Sequence, residues 1–185
     1  MKKVQKPSTA LFPVPSVLVT TISEGRPNII TLAWVGTVCS SPPMLSVSLR
    51  PQTYSHGILT KAREFVLNIP GADRVKEMDL CGMVSGRDED KFALTGFTPQ
   101  PAVKVQAPLI AECPVNIECR VNQIISLGSH DMFISEILAV HVDEAVLDEK
   151  GRIDVQKMEP VAFVAGQYWA VTRHLADMGF ARPKK

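Results

Sequence analysis

The stretch of residues 28–50 constrains the fold more than any other part of the chain. It reads NIITLAWVGTVCSSPPMLSVSLR, with apolar runs at residues 28–35 and 44–49 separated by Gly36 and a Ser-Ser-Pro-Pro sequence. Both runs have the length and the β-branched content of strands, and a proline pair without amide donors belongs at a strand entrance. Arg50 and the hydroxyl residues 53–55 come next. This order predicts two strands that end at a cationic loop and a helix start.

Composition limits the class of protein. The 185 residues suit one domain, and we expect residues 1–185 to form it. Because 45% of the residues are hydrophobic and 21% are charged, disorder is expected only in the first few residues and at the Lys184–Lys185 end. The net charge is +1 and no basic run exceeds two residues, which argues against nucleic acid as the main partner.

The cysteine and histidine positions do not predict a metal site. No C-x-x-C pair and no zinc-like Cys/His spacing occurs, so we expect free thiols in a reducing cytoplasm. Pro13 and Pro15 interrupt the only apolar stretch near the start, which makes a signal peptide a poor interpretation. No run reaches the roughly 18 apolar residues of a membrane-spanning helix, so no membrane partner is predicted.

The rest of the chain alternates short strands with a few helices. Strand patterns occur at residues 16–23, 64–69, 113–121, 131–142 and 161–165, and helical patterns at residues 53–62, 73–84 and 168–178. Strict alternation over residues 113–121 predicts a half-buried strand with Glu118 on its polar face. A long loop over residues 85–96 contains a short helical turn near Lys91. About seven strands joined by turns favour a mainly β fold, an antiparallel barrel with peripheral helices, over a doubly wound parallel sheet.

Several catalytic and nucleotide-binding motifs are missing from the sequence. No G-x-G-x-x-G follows a strand, and no phosphate-loop, H-E-x-x-H or G-x-S-x-G motif occurs. Ser129, His130 and Asp131 have the residue types of a catalytic triad. In an extended chain, however, adjacency points His130 away from the other two. The sequence therefore predicts neither a nucleophile nor a metal cage.

An anion site is the chemistry that the sequence supports. Arg50 ends a strand just before Thr53, Tyr54 and Ser55, and a helix start offers unpaired N–H groups and a positive dipole end. Ordinary capping by Thr53 or Ser55 beside a surface arginine explains the same spacing equally well. Lys91 could reach the same anion, although an isolated loop lysine is usually exposed.

A flat ligand is the second feature that residues 28–50 support. Trp34, Thr37 and Ser40 lie in or just after the first strand, where small residues would let the backbone approach a ring closely. Trp34 could wall such a site. The alternative is that Trp34 belongs to the core, as aromatic residues usually do.

The chain resembles the flavin reductase-like family of FMN-binding split barrels, and within it the flavoredoxin-like branch. The similarity spans roughly residues 10 to 175. The segments that carry it are NIITLAW at 28–34, SPPMLSVSLR with Thr53-Tyr54, EFVLNIP at 64–70, GRDEDKF at 86–92, GSHDMF at 128–133 and GQYW at 166–169.

The resemblance implies an antiparallel, Greek-key-like split β-barrel, a homodimer, and non-covalently bound FMN near the subunit interface. It implies that the strand segments line the flavin ring, largely through their backbone. It assigns His130 to the nicotinamide side of the flavin. It places Tyr168 and Trp169 either close to the cofactor or over it from the partner chain. The implied ring-lining residues are Thr31, Leu32, Ala33, Trp34, Ser46, Val47, Ser48 and Leu49. Thr37 joins these candidates from the small-residue pattern alone. The implied ribityl and phosphate contacts are Arg50, Thr53, Tyr54, Ser55 and Lys91.

Three functions are compatible with this resemblance. The first is an FMN-dependent oxidoreductase that passes electrons from NAD(P)H to a flavin or another acceptor. The second is a flavoredoxin-type electron carrier that a redox protein reduces. The third is an FMN-binding module without a redox role. The missing dinucleotide-binding motif agrees with loose NAD(P)H binding over the flavin, and in either redox function the cofactor carries out the electron chemistry.

Overall fold

A computed structural model describes residues 1–182, so the expectation for Lys184 and Lys185 lies outside the described residues. Within that range, antiparallel strands dominate and short helices lie around them, which confirms the predicted fold class. The strands are β1 (Val14–Pro15), β2 (Val17–Ser23), β3 (Arg26–Leu32), β4 (Val35–Ser40), β5 (Pro43–Leu49), β6 (Glu64–Ile69), β7 (Pro99–Gln100), β8 (Leu109–Ile110), β9 (Val115–Ser126), β10 (Asp131–Val142), β11 (Val161–Val164) and β12 (Gln167–Ala170). The helices are α1 (Tyr54–Ala62), α2 (Val75–Met83), α3 (Lys91–Thr95) and α4 (Val155–Met158), with 3₁₀ turns at Ala72–Arg74 and Glu144–Val146.

A seven-stranded antiparallel sheet in the order β3-β2-β6-β9-β10-β5-β4 is the centre of the described fold. Its two edge strands, β3 and β4, are joined by Ala33 and Trp34 alone. A flat sheet of this width would hold its edges about 29 Å apart, whereas the three residue-to-residue steps from Leu32 to Val35 span about 10 Å at most. The sheet therefore has to roll until its edges approach each other. The amide of Ser48 in β5 donates to the Trp34 carbonyl at this corner, 2.9 Å away.

The inside of the rolled sheet is the main hydrophobic core. Val19, Val47, Leu49, Phe65 and Phe133 meet there and are almost fully buried. Period-two alternation along β5 places its leucine and valine side chains in this core and its two serine side chains on the opposite face. The position of each β5 side chain relative to the site is therefore set by its place in the strand.

The outer face of β9 differs from the sequence prediction. Glu118 was expected on a solvated face, but it is 0% exposed, and Asn116 on the same face is 7% exposed. The cause is the segment of residues 99–110, which folds over this face. The amides of Val103, Lys104 and Val105 donate to the Glu118 carboxylate at 2.9, 2.6 and 3.1 Å. The prediction of a half-buried strand was therefore wrong for this face.

Two further predictions need correction. Residues 36–43 were expected to connect two strands, but residues 35–40 form β4, which pairs with β5. The predicted helix at residues 168–178 is wrong. Residues 167–170 form β12, with Trp169 opposite Ala162 in β11, and the amide of Val171 donates to the Pro160 carbonyl. Aromatic and β-branched residues favour a strand here, and a long-range partner is available.

The helices α1, α2 and α3 pack beside β2 and β3 and frame the open end of the sheet. Met78 and Cys81 of α2 are buried in a second cluster with Leu18 and Ile29. In the described part of the chain, no helix is both long and apolar enough to cross a membrane.

Candidate functional site

An open cleft of about 370 Å³ lies between the start of α1, the end of α2 and the segment that follows it. Three cationic side chains, from Arg50, Arg87 and Lys91, line this cationic cleft. No Asp or Glu of residues 1–182 is among its lining residues. The remaining lining residues are Ile30, Gln52, Thr53, Tyr54, Ser55, Cys81, Gly82, Met83, Val84, Ser85 and Gly86. A set of walls with this charge suits an anionic ligand.

The N-terminus of α1 forms one wall of the cationic cleft. Thr53 is the N-cap, and its hydroxyl accepts from the His56 amide at 3.3 Å and donates to the Arg50 carbonyl at 2.9 Å. Thr53 therefore performs ordinary capping, one of the two roles that its spacing allowed. Ser55 is 2% exposed, and its hydroxyl oxygen accepts from Asn28 Nδ2 at 2.7 Å. Tyr54 and Ser55 occupy the first helical turn, whose amides point toward the open end of the helix.

Lys91 is buried in the opposite wall, contrary to the usual exposure of a loop lysine. It is the first residue of α3, only 5% exposed, and its ammonium donates to the Cys81 carbonyl at 2.6 Å. No carboxylate among residues 1–182 forms an ion pair with it. Burial lowers the pKa of Lys91, and the nearby Cys81 thiol opposes that effect. An ammonium with one carbonyl partner retains donors for a ligand anion.

Arg87 and Gly86 complete the cleft, and sequence reasoning did not single out either residue. The Arg87 guanidinium lies 5.8 Å from the centre of the Tyr54 ring and donates to the Gln52 carbonyl at 3.2 Å. A Cβ at Gly86 would lie 1.9 Å from Asn28 Oδ1, so only glycine fits there. Nothing in the polar composition of residues 85–90 marks these two positions.

A smaller groove of about 190 Å³ continues from the cationic cleft and shares Gly82 and Met83 with it. The predicted ring-lining residues Thr31, Leu32 and Ala33 lie in this groove. Tyr168 closes it by donating to Asp79 Oδ1 at 2.9 Å. Burial and the Asp79 carboxylate raise the pKa of Tyr168 to about 12. Phe163, which sequence reasoning missed, lines the groove and lies 5.5 Å from the Tyr168 ring.

Trp34 lies at the sheet corner and is 43% exposed, so it does not belong to the core. Together with Ser46 and Ser48 it lines a third hollow of about 420 Å³. The His130 ring lies 4.3 Å from the Trp34 ring, and Ser129 Oγ is 2.9 Å from His130 Nδ1. Burial and the neighbouring Arg50 cation lower the pKa of His130, so the ring is neutral at pH 7.

The triad residue types at positions 129–131 do not assemble into a triad. Asp131 is not bonded to His130 but lies 2.8 Å from His56 Nε2. Among the described residues, no group of three or more His, Cys, Asp or Glu side chains is arranged to hold a metal ion.

Four of the predicted cofactor-binding residues, and His130 with them, line none of these three cavities. Val47 and Leu49 are buried in the core, so their side chains face away from the hollow that Ser46 and Ser48 line. Thr37 is exposed on β4 and lines none of the three cavities described here. Trp169 is 56% exposed in a separate apolar hollow with Phe12.

The fold and the site define a class of protein, an antiparallel split barrel with a cationic cleft at the open end of its sheet. Comparison with known proteins agrees with this fold. The family model "Flavin reductase like domain" matches residues 9–172. The chain belongs to this flavin reductase-like family.

Two solved structures are similar over nearly the whole chain, and one further relative is similar over most of it. A flavoredoxin of Desulfovibrio vulgaris (Miyazaki F) is 40% identical with a TM-score of 0.92, covering 98% of this chain and 99% of that one. A flavoredoxin of Methanosarcina acetivorans is 29% identical with a TM-score of 0.90, covering 98% and 97%. An uncharacterized protein of Archaeoglobus fulgidus is 32% identical over 83% of this chain and 86% of its own.

Proposed function

We propose that this protein binds FMN without a covalent link and acts as an NAD(P)H-dependent reductase of flavin or of another electron acceptor. The observation that carries the proposal is the cationic cleft, in which three cations and a helix start converge without an acidic lining residue among residues 1–182. Membership of the flavin reductase-like family supports the redox role.

The residues of the cleft fit the phosphate of FMN. A phosphate monoester carries a charge of about −1.5 to −2 near neutral pH, and it binds well at helix N-termini and to arginine forks. Arg50, Arg87 and Lys91 would hold this charge together with the first amides of α1. Ser55 would donate its hydroxyl hydrogen, which has no acceptor among the described residues. A buried Lys91 ammonium with no carboxylate partner among residues 1–182 is well explained by an anion that arrives with the ligand.

The corner between β3 and β4 supports the ring end of the site. Thr31, Leu32, Ala33 and Trp34 would line one side of the flavin ring, and Tyr168 would close the end of the groove. Thr31 donates its hydroxyl hydrogen to the Met78 carbonyl, which fixes the β3 edge against α2. These contacts hold the walls in place.

Bound FMN would accept a hydride or single electrons and pass them on. The role of this chain is to orient the ring and to leave one face open for the donor. His130 is the candidate on the nicotinamide side, because a neutral imidazole beside Trp34 and Arg50 can accept or donate a hydrogen bond without adding charge.

A second candidate function is an electron carrier that a redox protein reduces. The 40% identity to a flavoredoxin over 98% of the chain favours it. Both functions use the same FMN site, and they differ only in the donor.

Anaerobic mixing of the FMN-loaded protein with NADH and with NADPH distinguishes the two functions. We expect the visible flavin band to bleach within seconds with at least one of these nucleotides. No bleaching with either nucleotide, combined with fast reduction by a ferredoxin-type donor, would overturn the reductase and support the carrier. A mixture without protein but with the same free FMN is the control.

We also propose a homodimer in the cytoplasm. Exposed apolar residues at both ends of the chain, among them Phe12, Trp169 and Leu175, support a second copy as their cover. A site this open needs a further wall, which a partner would supply. The four cysteines are free, as in proteins of a reducing compartment.

A further inference from the structure

A histidine–aspartate pair lies outside the cationic cleft and connects α1, which forms one wall of the cleft, to β10. His56 Nε2 is 2.8 Å from Asp131 Oδ2, and Asp131 Oδ1 accepts from Ser126 Oγ at 2.7 Å. The two side chains are 14% and 15% exposed. Neither residue lines the cleft.

The pair contacts or adjoins three parts of the site, namely the start of α1, the end of β5 and the turn that carries His130. His56 is the third residue of α1, and its amide is bonded to the Thr53 cap. Asp131 follows His130 directly, and in the sheet it pairs with Leu49, the residue before Arg50. The contact between His56 and Asp131 therefore links the helix tip, the β5 end and the turn that carries His130.

The negative charge of Asp131 does not favour the binding of an anion at the start of α1. Hydrogen bonds from Ser126 and His56 lower the pKa of the Asp131 carboxyl, so it is ionised at neutral pH. A negative charge beside the start of a helix competes with an anion that binds there. The contribution of Asp131 to anion binding has to be geometric. The edge-on contact of the His56 ring with buried Phe133, with centroids 5.3 Å apart, fixes the ring that the carboxylate holds.

The geometry points to His56 and Asp131 as positioning residues that hold the tip of α1 at the correct distance from Arg50 and His130. This inference rests on the proposed phosphate site. A helix tip held in place by tertiary contacts binds phosphate without first losing conformational freedom. The pair should therefore increase the affinity for ligands with a phosphate and have little effect on the affinity for ligands without one.

Affinities of the flavin-free, full-length protein for FMN and for riboflavin test this role, because the two ligands differ only in the phosphate. Fluorescence quenching measures both. We expect His56→Ala and Asp131→Ala to weaken FMN binding by about tenfold and riboflavin binding by less than about twofold. His56→Gln, whose side-chain amide can still reach Asp131, should retain the FMN preference of the original protein.

His141→Ala is the matched control. It removes a histidine–carboxylate pair of the same type, His141 with Glu118 at 2.6 Å, from the far end of the same strand. It should lower the unfolding temperature without changing the ratio of the FMN and riboflavin affinities. A purely stabilising role for His56 would make His56→Ala behave in the same way, and that result would overturn the inference.

Two further results distinguish a failure of the positioning role from a failure of the proposed phosphate site. Asp131→Asn keeps the shape of the pair and removes its charge, so FMN affinity should stay equal or increase. A weaker FMN affinity in this variant would contradict a geometric role, even where His56→Ala fails to fold. If the unmodified protein binds FMN and riboflavin equally well, the proposed phosphate site itself is wrong.

Discussion

Lys91 is a buried lysine whose ammonium is bonded only to a backbone carbonyl among the described residues. The residue is only 5% exposed and its ammonium donates to one carbonyl, which is unfavourable for a charge without a carboxylate partner among residues 1–182. Sequence patterns place a lysine in a polar loop and cannot show this burial. Its place in the sequence allowed Lys91 to reach the anion, and the resemblance to the family assigned it to the phosphate. Gly86 went unmarked for the same reason, because its need for glycine comes from Asn28, 58 positions away in the chain.

Replacing Lys91 should separate stability from binding. Lys91→Met keeps most of the side-chain volume and removes the buried charge, so the flavin-free protein should unfold at an equal or higher temperature. FMN binding should weaken by about tenfold or more, because a charge-assisted contact is lost. Calorimetry and flavin fluorescence measure the two effects. Lys104→Met, at an exposed position, is the control, and an unchanged FMN affinity in Lys91→Met would contradict the account.

At the scale of elements, α1 contains a glycine that its surroundings do not require. Gly57 lies inside the helix, and a Cβ there would meet nothing within 4 Å. Gly57→Ala should therefore raise the free energy of unfolding by about 0.5–1 kcal/mol. Gly82→Ala in α2 is the comparison, since its Cβ would lie 3.3 Å from the Thr31 Cβ. Urea denaturation measures both, and a destabilised Gly57→Ala would show that α1 has packing the structure does not contain.

The cover over β9 depends on the carboxylate of Glu118. Burial acts to raise the pKa of Glu118, but hydrogen bonds from Val103, His141 and Lys104 lower it below its ordinary value of 4.5. A lowered pKa means that the stabilisation is present above about pH 4.5 and is lost as the pH falls through the folded-state pKa.

Glu118→Gln should therefore lower the free energy of unfolding by about 2–3 kcal/mol near neutral pH, because an amide nitrogen would face backbone donors. It should also reduce the loss of stability in acid. Glu64→Gln is the control, since that carboxylate accepts from one exposed amide, at Gln106. Urea denaturation at several pH values gives both results. An unchanged slope of stability with pH would contradict the role of Glu118.

Elements with strong local patterns could be predicted from the sequence, and elements that depend on distant partners could not. The start of α1 at residue 54 and the whole of β10 agree with the predictions, because capping residues and long alternation are local signals. β4 was missed because its Gly36 suggested a turn, although pairing with β5 decides its conformation. The predicted C-terminal helix was wrong since β11 supplies a partner for residues 167–170 that no local pattern reveals.

At the scale of the whole molecule, the rolled sheet places its corner and its helix start around one open end. This arrangement results from the order of the strands, because β3 and β4 are neighbours in sequence but form opposite edges of the sheet. Residues 50, 52–55 and 91 thereby line the cationic cleft, and residues 31–33 line the groove that continues from it. Arg87 and Phe163 join them through the fold alone.

The dimer is a prediction at this scale. Light scattering of the FMN-loaded protein should give twice the 20.3 kDa chain mass. Trp169→Lys combined with Val171→Lys should shift the protein toward the monomer, because these exposed apolar side chains are the proposed contact. Leu94→Lys, at an exposed leucine of α3, should leave the dimer intact. A monomer for the unmodified protein would contradict the prediction.

Titration of the flavin-free protein with FMN tests the central claim most directly. The account predicts that flavin fluorescence changes until one FMN is bound per chain, and that the protein retains the yellow colour after free ligand is removed. A protein that leaves the fluorescence of FMN unchanged and stays colourless would contradict it.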